Sequence, residues 1–150
     1  LLKNDNIELH IFGDGVMRKE LEKMVNEAGV NVIIKGEVKE VSKILPQYDL
    51  YVMSSEFEGF SLSVLEAMAM QMPMLLSDIP SFREQCADTA LFFDLKNTHD
   101  FIAKLKGIVK DKTALHQLAV SAKQRVEDNF TLEHHMAELR KIYTEVLQNN

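Results

Sequence analysis

Leu50-Tyr51-Val52-Met53 runs directly into Ser54-Ser55-Glu56-Phe57-Glu58-Gly59-Phe60-Ser61-Leu62-Ser63-Val64-Leu65-Glu66-Ala67-Met68. An apolar strand-like run is followed by a glycine loop and then by a helix-like run. One carboxylate stands just before the glycine and another lies one turn into the helix. Two physical readings fit. In the first, Ser63-Val64-Leu65-Glu66 is an S-x-x-E capping box, Glu58 is an exposed loop residue and Phe60 is a core anchor. In the second, Gly59 lets the backbone approach a ligand, and the helix beginning near Ser61 to Ser63 turns free N–H groups and its positive end toward a diphosphate. Glu66 then accepts hydrogen bonds from ribose hydroxyls, and Glu58 from those of a sugar. A carboxylate pair also suits glycoside hydrolysis, where the two acids stand about 5–10 Å apart. Neither acid carries a sequence sign of a raised pKa, so hydrolysis is the minor option.

Working outward, the pattern of the chain is strand and helix in alternation. Ile7 to Phe12 reads as a strand ending at Gly13-Asp14-Gly15, followed by a helix that Gly29 stops. Val32-Ile33-Ile34 is a short strand ending at Gly36, and a brief helix around Val41 to Tyr48 bends at Pro46. After the opening stretch come a strand at Pro73 to Ser77, a short helix opened by Pro80, and a last strand at Ala90 to Phe93. Three helices follow over about 98–110, 112–127 and 131–148, with Thr98, Asp111 and Thr131 as expected N-caps. Alternation of this kind predicts an α/β fold, a Rossmann-like doubly wound parallel sheet formed by residues 1–150 as a single domain. Ligands in such sheets bind at the carboxyl ends of the strands. Gly13-Asp14-Gly15, Gly36-Glu37-Val38 and Glu58-Gly59-Phe60 all follow strands and are the loops to watch.

Composition narrows the function. The 150 residues are 46% apolar and 27% charged with a net charge of −6, ordinary for a soluble globular domain and unsuited to general nucleic-acid binding. No apolar run is long enough to span a membrane, no signal peptide is visible, and the single Cys86 supports no disulfide framework. A cytoplasmic location follows, with a peripheral position at the inner face of the membrane as the variant, since Lys104, Lys106 and Lys110 could touch a membrane surface. The chain begins at Leu1, as expected of a piece of a longer polypeptide. Gly13-x-Gly15 invites a dinucleotide fingerprint, but Arg18 stands where G-x-G-x-x-G needs its third glycine. His134 and His135 are adjacent on a helix and point apart, unlike a metal pair. Cys86 and the eight methionines read as packing residues.

The stretch from Glu58-Gly59-Phe60-Ser61-Leu62 to Glu66-Ala67-Met68-Ala69, closing at Pro73, resembles the E-x7-E signature of retaining family-4 glycosyltransferases of the GT-B type. Leu9 to Gly15 is similar to that family's I-x-G-x-G strand and loop. Val32 to Val38 resembles its V-x-F-x-G-x-V segment, Tyr48 to Ser55 its A-D-V-x-V-x-P-S strand, and Ile142-Tyr143 its L-x-x-x-Y ending. The resemblance implies the second, donor-binding domain of a GT-B fold. It implies that Glu58 positions the donor sugar, that Gly59, Phe60, Ser61 and Leu62 contact sugar and diphosphate, and that Glu66 holds the ribose. Gly36, Glu37 and Val38 would lie against the nucleobase, with the Gly13 and Gly15 loop near the phosphates. The implied reaction is transfer of a hexosyl group with retention to a saccharide or lipid-linked acceptor, from a nucleotide-sugar donor, UDP-sugar ahead of GDP- or ADP-sugar. No cofactor is implied, and no metal, in keeping with the absence of a D-x-D pair.

Two motif glycines are replaced, by Ser61 and by Gln71, and the second puts the turn before Pro73 in question. The family's G-R and K-G residues, which grip the diphosphate, have no counterpart before Ile7. Neither does the first, central strand of the sheet, nor the N-terminal domain that holds the acceptor. These residues alone are therefore expected to be inactive, and the strand gap to invite strand exchange or a dimer. A nucleotide-sugar-binding module without catalysis, and a two-Rossmann relative such as a sugar-nucleotide epimerase, are the alternatives.

Overall fold

The computed structural model describes residues 6–110 and 112–148. The chain divides into two compact units, Leu1–Val41 and Ser42–Asn150.

The first unit is a parallel strand pair with a crossover helix. Strand β1 (Leu9–Phe12) and strand β2 (Val32–Gly36) pair from Leu9 opposite Val32 to Phe12 opposite Gly36, with helix α1 (Arg18–Ala28) between them in sequence. Gly29 ends α1 in the left-handed conformation (φ 57°), its N–H donating to the Val25 carbonyl, as its position predicts. Among the described residues of this unit only Gly36 is buried. So small a unit has too little apolar surface to fold unaided.

The second unit contains α2 from Ser42 onward (Val41–Ile44 in full), a 3-10 turn at Leu45–Gln47 and strand β3 (Tyr51–Met53). Helix α3 (Leu62–Ala69), strand β4 (Met74–Ser77), helix α4 (Pro80–Cys86) and strand β5 (Leu91–Phe93) follow, then α5 (Thr98–Lys110), α6 (Lys112–Asn129) and α7 (Leu132–Gln148). The strands form a second parallel sheet in the order β3-β4-β5. All pairing in both units is parallel, as expected of an α/β fold. Among the described residues no strand bonds β1 to β3.

Flanked by a strand on each side, β4 is buried along its whole length, and Leu75 and Leu76 are fully enclosed. Burial of each such side chain is worth about 1.5–3 kcal/mol. Helix α3 adds Val64, Ala67 and Met68, at the i, i+3, i+4 spacing of one helix face, and packs on α6, which buries Leu115, Ala119 and Ala122. Cys86 Sγ lies 3.8 Å from Met68 Sδ, and burial pushes its thiol up to about 12, so it is a protonated packing group. Met68, Met72 and Met74 fill the core as expected, whereas Met17, Met24, Met70 and Met136 are exposed.

Two helix starts differ from expectation or lie outside reach. α5 is capped by Asn97, not Thr98: Asn97 Oδ1 accepts from the His99 and Asp100 N–H groups at 3.1 and 3.2 Å, and Thr98 is already helical. Asp111 lies outside the described residues. Thr131 does cap α7, its Oγ1 accepting from His134 N–H at 3.2 Å.

The turn before Pro73 keeps its geometry without a glycine. Met72 N–H donates to the Ala67 carbonyl and Gln71 N–H to that of Met68, the paired bonds of a Schellman ending, with Gln71 left-handed at φ 55°. A side chain with a Cβ costs about 1–2 kcal/mol in that conformation. Replacement of Gln71 by glycine should therefore raise stability by about 1 kcal/mol in urea unfolding, part of the relief being lost to the greater freedom of the unfolded chain. Gly36 is the mirror case. Its φ is +78° and a Cβ there would stand 3.0 Å from Arg18 Nη1. Gly36→Ala should lower the stability of the first unit by about 1–2 kcal/mol, read as early loss of amide-exchange protection across β1 and β2.

Candidate functional site

The loop from Ser54 to Ser61 joins β3 to α3, and buried polar side chains hold it at both ends. At its start, Ser77 Oγ, on the last residue of β4 and fully buried, donates to the Ser55 carbonyl at 2.6 Å. Ser55 Oγ in turn donates to Glu58 Oε1 at 2.9 Å, which fixes the carboxylate in the middle of the loop. At its far end the Gln85 amide, 3% exposed, clasps the backbone of Ser61. Ser61 N–H donates to Gln85 Oε1 at 3.1 Å and Gln85 Nε2 donates to the Ser61 carbonyl at 2.9 Å.

Ser61 is also the N-cap of α3. Its backbone is extended (φ −89°, ψ 110°) and its Oγ accepts from Val64 N–H at 3.4 Å. This removes the capping-box alternative. With Ser61 at the cap, Ser63 is inside the first turn and Glu66 is the fifth helical residue, too far along to reach back to the helix start. Glu66 is exposed instead. Phe60 is half exposed, packed edge-on against Phe130 with ring centres 5.4 Å apart, and so is no core anchor. Phe57 and Leu62 stand largely in solvent, and a Cβ on Gly59 would meet open space. Because Gln85 occupies the Ser61 N–H, the helix-end donors without a protein acceptor among the described residues are those of Leu62 and Ser63.

Glu58 and Glu66 meet electrostatically at Tyr51, the first residue of β3. Burial raises the pKa of its hydroxyl, a hydrogen bond with Ser63 works the other way, and the Glu66 and Glu58 charges raise it further. The phenol stays protonated. Sequence reasoning passed over Tyr51, Ser77 and Gln85. For Gln85 a signal was present: Phe82, Gln85 and Cys86 share the buried face of α4. An amide on a core face needs a partner.

The loops of the first unit are joined as expected at the ends of β1 and β2: Gly13 N–H donates to the Gly36 carbonyl at 2.8 Å. Gly15 N–H donates to Asp14 Oδ1 at 2.8 Å, so neither glycine N–H of this loop is open to a phosphate, and the loop is a tight turn closed on itself. Arg18, where a dinucleotide fingerprint has glycine, lies over Gly36, tied to Asp14 Oδ2 at 3.1 Å and Glu22 Oε1 at 2.9 Å. Glu37 is exposed and Val38 half-buried. Among the described residues no cluster of three His, Cys, Asp or Glu could hold a metal ion, and no helix is long and apolar enough to cross a membrane.

Residues 1–125 match the family model described as glycosyl transferases group 1. The chain is 26% identical over 139 residues to the poly(ribitol-phosphate) alpha-N-acetylglucosaminyltransferase of Staphylococcus aureus, covering 89% of this chain and 28% of that protein. It is 30% identical over 141 residues to the O-antigen biosynthesis glycosyltransferase WbnH of Escherichia coli, covering 93% of this chain and 39% of the relative. The chain thus spans well under half the length of these curated relatives. The fold of a TarM variant from S. aureus, solved in complex with Fondaparinux, alpha-GlcNAc-glycerol and UDP, superposes with a TM-score of 0.86 at 23% identity, over 95% of this chain and 30% of that one. The chain belongs to the glycosyl transferases group 1 family, and its parallel α/β fold is that of the C-terminal half of a GT-B glycosyltransferase.

Proposed function

We propose that this chain binds the nucleotide-sugar donor of a retaining glycosyltransferase, which as a longer protein transfers a hexosyl group to a saccharide or lipid-linked acceptor. One observation carries the proposal: Glu58 and Glu66 are held on either side of one helix start, around Tyr51, without serving as caps. Glu66, exposed and one turn into α3, accepts hydrogen bonds from the two ribose hydroxyls. Glu58, oriented by Ser55, holds hydroxyls of the donor sugar. The Leu62 and Ser63 N–H groups face the diphosphate at the positive end of the helix. Gly36, Glu37 and Val38 line the base. UDP-sugar is the favoured donor, in line with the UDP bound by the TarM relative.

In the reaction the bond from the anomeric carbon to the distal phosphate oxygen breaks as the acceptor oxygen bonds to that carbon on the same face, which retains configuration. The acceptor proton passes to the departing phosphate oxygen. The helix-end N–H groups stabilise charge growing on the diphosphate, with no metal required. They do not suffice alone. Between Lys43 and Arg83 the chain has no Lys or Arg, so the loop and helix start bring three carboxylates (Glu56, Glu58 and Glu66) and no cation to a diphosphate. Cations and acceptor therefore come from the rest of the longer protein, and residues 1–150 alone turn nothing over.

Glu66→Ala tests the ribose role directly. The side chain is exposed and caps nothing, so the variant should fold with an unchanged melting temperature. Two hydrogen bonds to a charged group are worth about 1.5–3 kcal/mol each, and UDP binding by calorimetry should weaken at least about tenfold. An unchanged dissociation constant for UDP removes Glu66 from the site.

A further inference from the structure

Both ends of the 54–61 loop are fixed by buried side chains, and both come from the segment β4–α4. We propose that Gln85 and Ser77 are positioning residues for the donor. Gln85 sets the start of α3 against the diphosphate, and Ser77 sets the carboxylate of Glu58 against the sugar. The inference rests on the donor-site reading above and adds how that site is held.

The Gln85 amide satisfies both backbone polar groups of Ser61 from a site almost closed to water, 3% exposed, with Ser61 itself 4% exposed. This pairing copies one rung of a sheet ladder, made by a side chain where no strand runs. Five bonds converge on one residue: Ser61 N–H gives to Gln85, its carbonyl receives from Gln85 and from Leu65 N–H at 3.0 Å, and its Oγ caps Val64 and shares a bond with Ser63 Oγ at 3.1 Å. The helix start therefore cannot slide or fray by a residue without abandoning the clasp. The motif of the family carries glycine where Ser61 stands. Here a residue that is both a helix cap and a target for Gln85 replaces backbone freedom with a fixed turn.

The α4 carrying Gln85 is itself anchored. Arg125 of α6 donates from Nε to the Gln85 carbonyl at 2.8 Å and from Nη2 to that of Glu84 at 2.9 Å, closing the C-terminal end of α4. Since α6 also packs on α3, the clasp spans two elements held by a third. At the other end of the loop the relay is shorter: Ser77 Oγ to the Ser55 carbonyl, then Ser55 Oγ to Glu58. The two attachments act on different parts of the ligand. Gln85 governs the Leu62 and Ser63 N–H groups and hence phosphate; Ser77 governs Glu58 and hence sugar.

That division makes the roles separable by binding. Three probes are titrated into the protein and its variants by calorimetry: uridine, UDP and UDP-N-acetylglucosamine. Gln85→Met keeps the volume and removes both bonds; UDP affinity should fall about tenfold while uridine affinity holds. Ser77→Ala, a smaller change at a position certain to tolerate alanine's size, should leave UDP unchanged and weaken the sugar nucleotide several-fold. Amide exchange at Ser61 should speed up in Gln85→Met only. Gln85→Met binding UDP as the wild type does, or losing uridine and UDP in parallel, overturns the role of Gln85. If Gln85→Met does not fold, Ser77→Ala decides: equal affinity for the sugar nucleotide overturns the proposal. A wild-type protein that binds none of the three probes overturns the donor reading and the proposal together, whereas wild-type binding indifferent to the variants overturns the proposal alone.

Discussion

Ser61 is the point on which the site depends. A helix must begin with an extended residue whose side chain takes up an orphan N–H, and Ser61 meets that need at φ −89° and ψ 110°. Its own N–H is buried and would cost about 1–3 kcal/mol if unpaired, and its carbonyl, already bonded to Leu65 N–H, has a second lone pair to satisfy. The amide of Gln85 satisfies both. Because the same residue ends the loop and begins the helix, the two carboxylates on either side of it keep a fixed relation: Glu58 three residues before, Glu66 five after. Packing of Val64, Ala67 and Met68 into the core then holds the helix that carries the second of them.

The charge arrangement follows the same economy. From Ile44 to Phe82 the chain has no Lys or Arg, and the charges of Glu66 and Glu58 both act on the protonated Tyr51. Two open N–H groups at a helix start supply partial positive charge, worth about 0.3–1 kcal/mol each way at an exposed end. Under the donor-binding proposal, ribose and sugar are held by these residues, while most of the countercharge is not supplied by them. The division fits a chain that spans under half the length of its relatives.

Much of the architecture was legible because it rests on period and punctuation. Alternating strands and helices, Gly29 closing α1 and Pro80 opening α4 all place elements within a residue or two of where they lie. The cap of α5 was misassigned by one residue, since Asn97 and Thr98 are both good caps and only the backbone bonds choose Asn97. Likewise Ser61 and Ser63 each suit a helix start, and a one-turn difference decides whether Glu66 is a cap or a free carboxylate. In the Gly13-Asp14-Gly15 loop the two glycine amides close on Gly36 and on Asp14, long-range and local bonds that no spacing reveals. Gln85 and Ser77 were hidden for the same reason: each bonds to a residue more than twenty positions away.

The central claim is that the start of α3 receives a nucleotide diphosphate. Titration of the isotope-labelled protein with UDP, followed amide by amide in nitrogen–proton NMR spectra, reads it at the atoms concerned. The account predicts saturable shifts at the Leu62 and Ser63 amides, the two helix-start donors that Gln85 leaves open, together with Glu66. UDP binding that leaves these three resonances unmoved would contradict it.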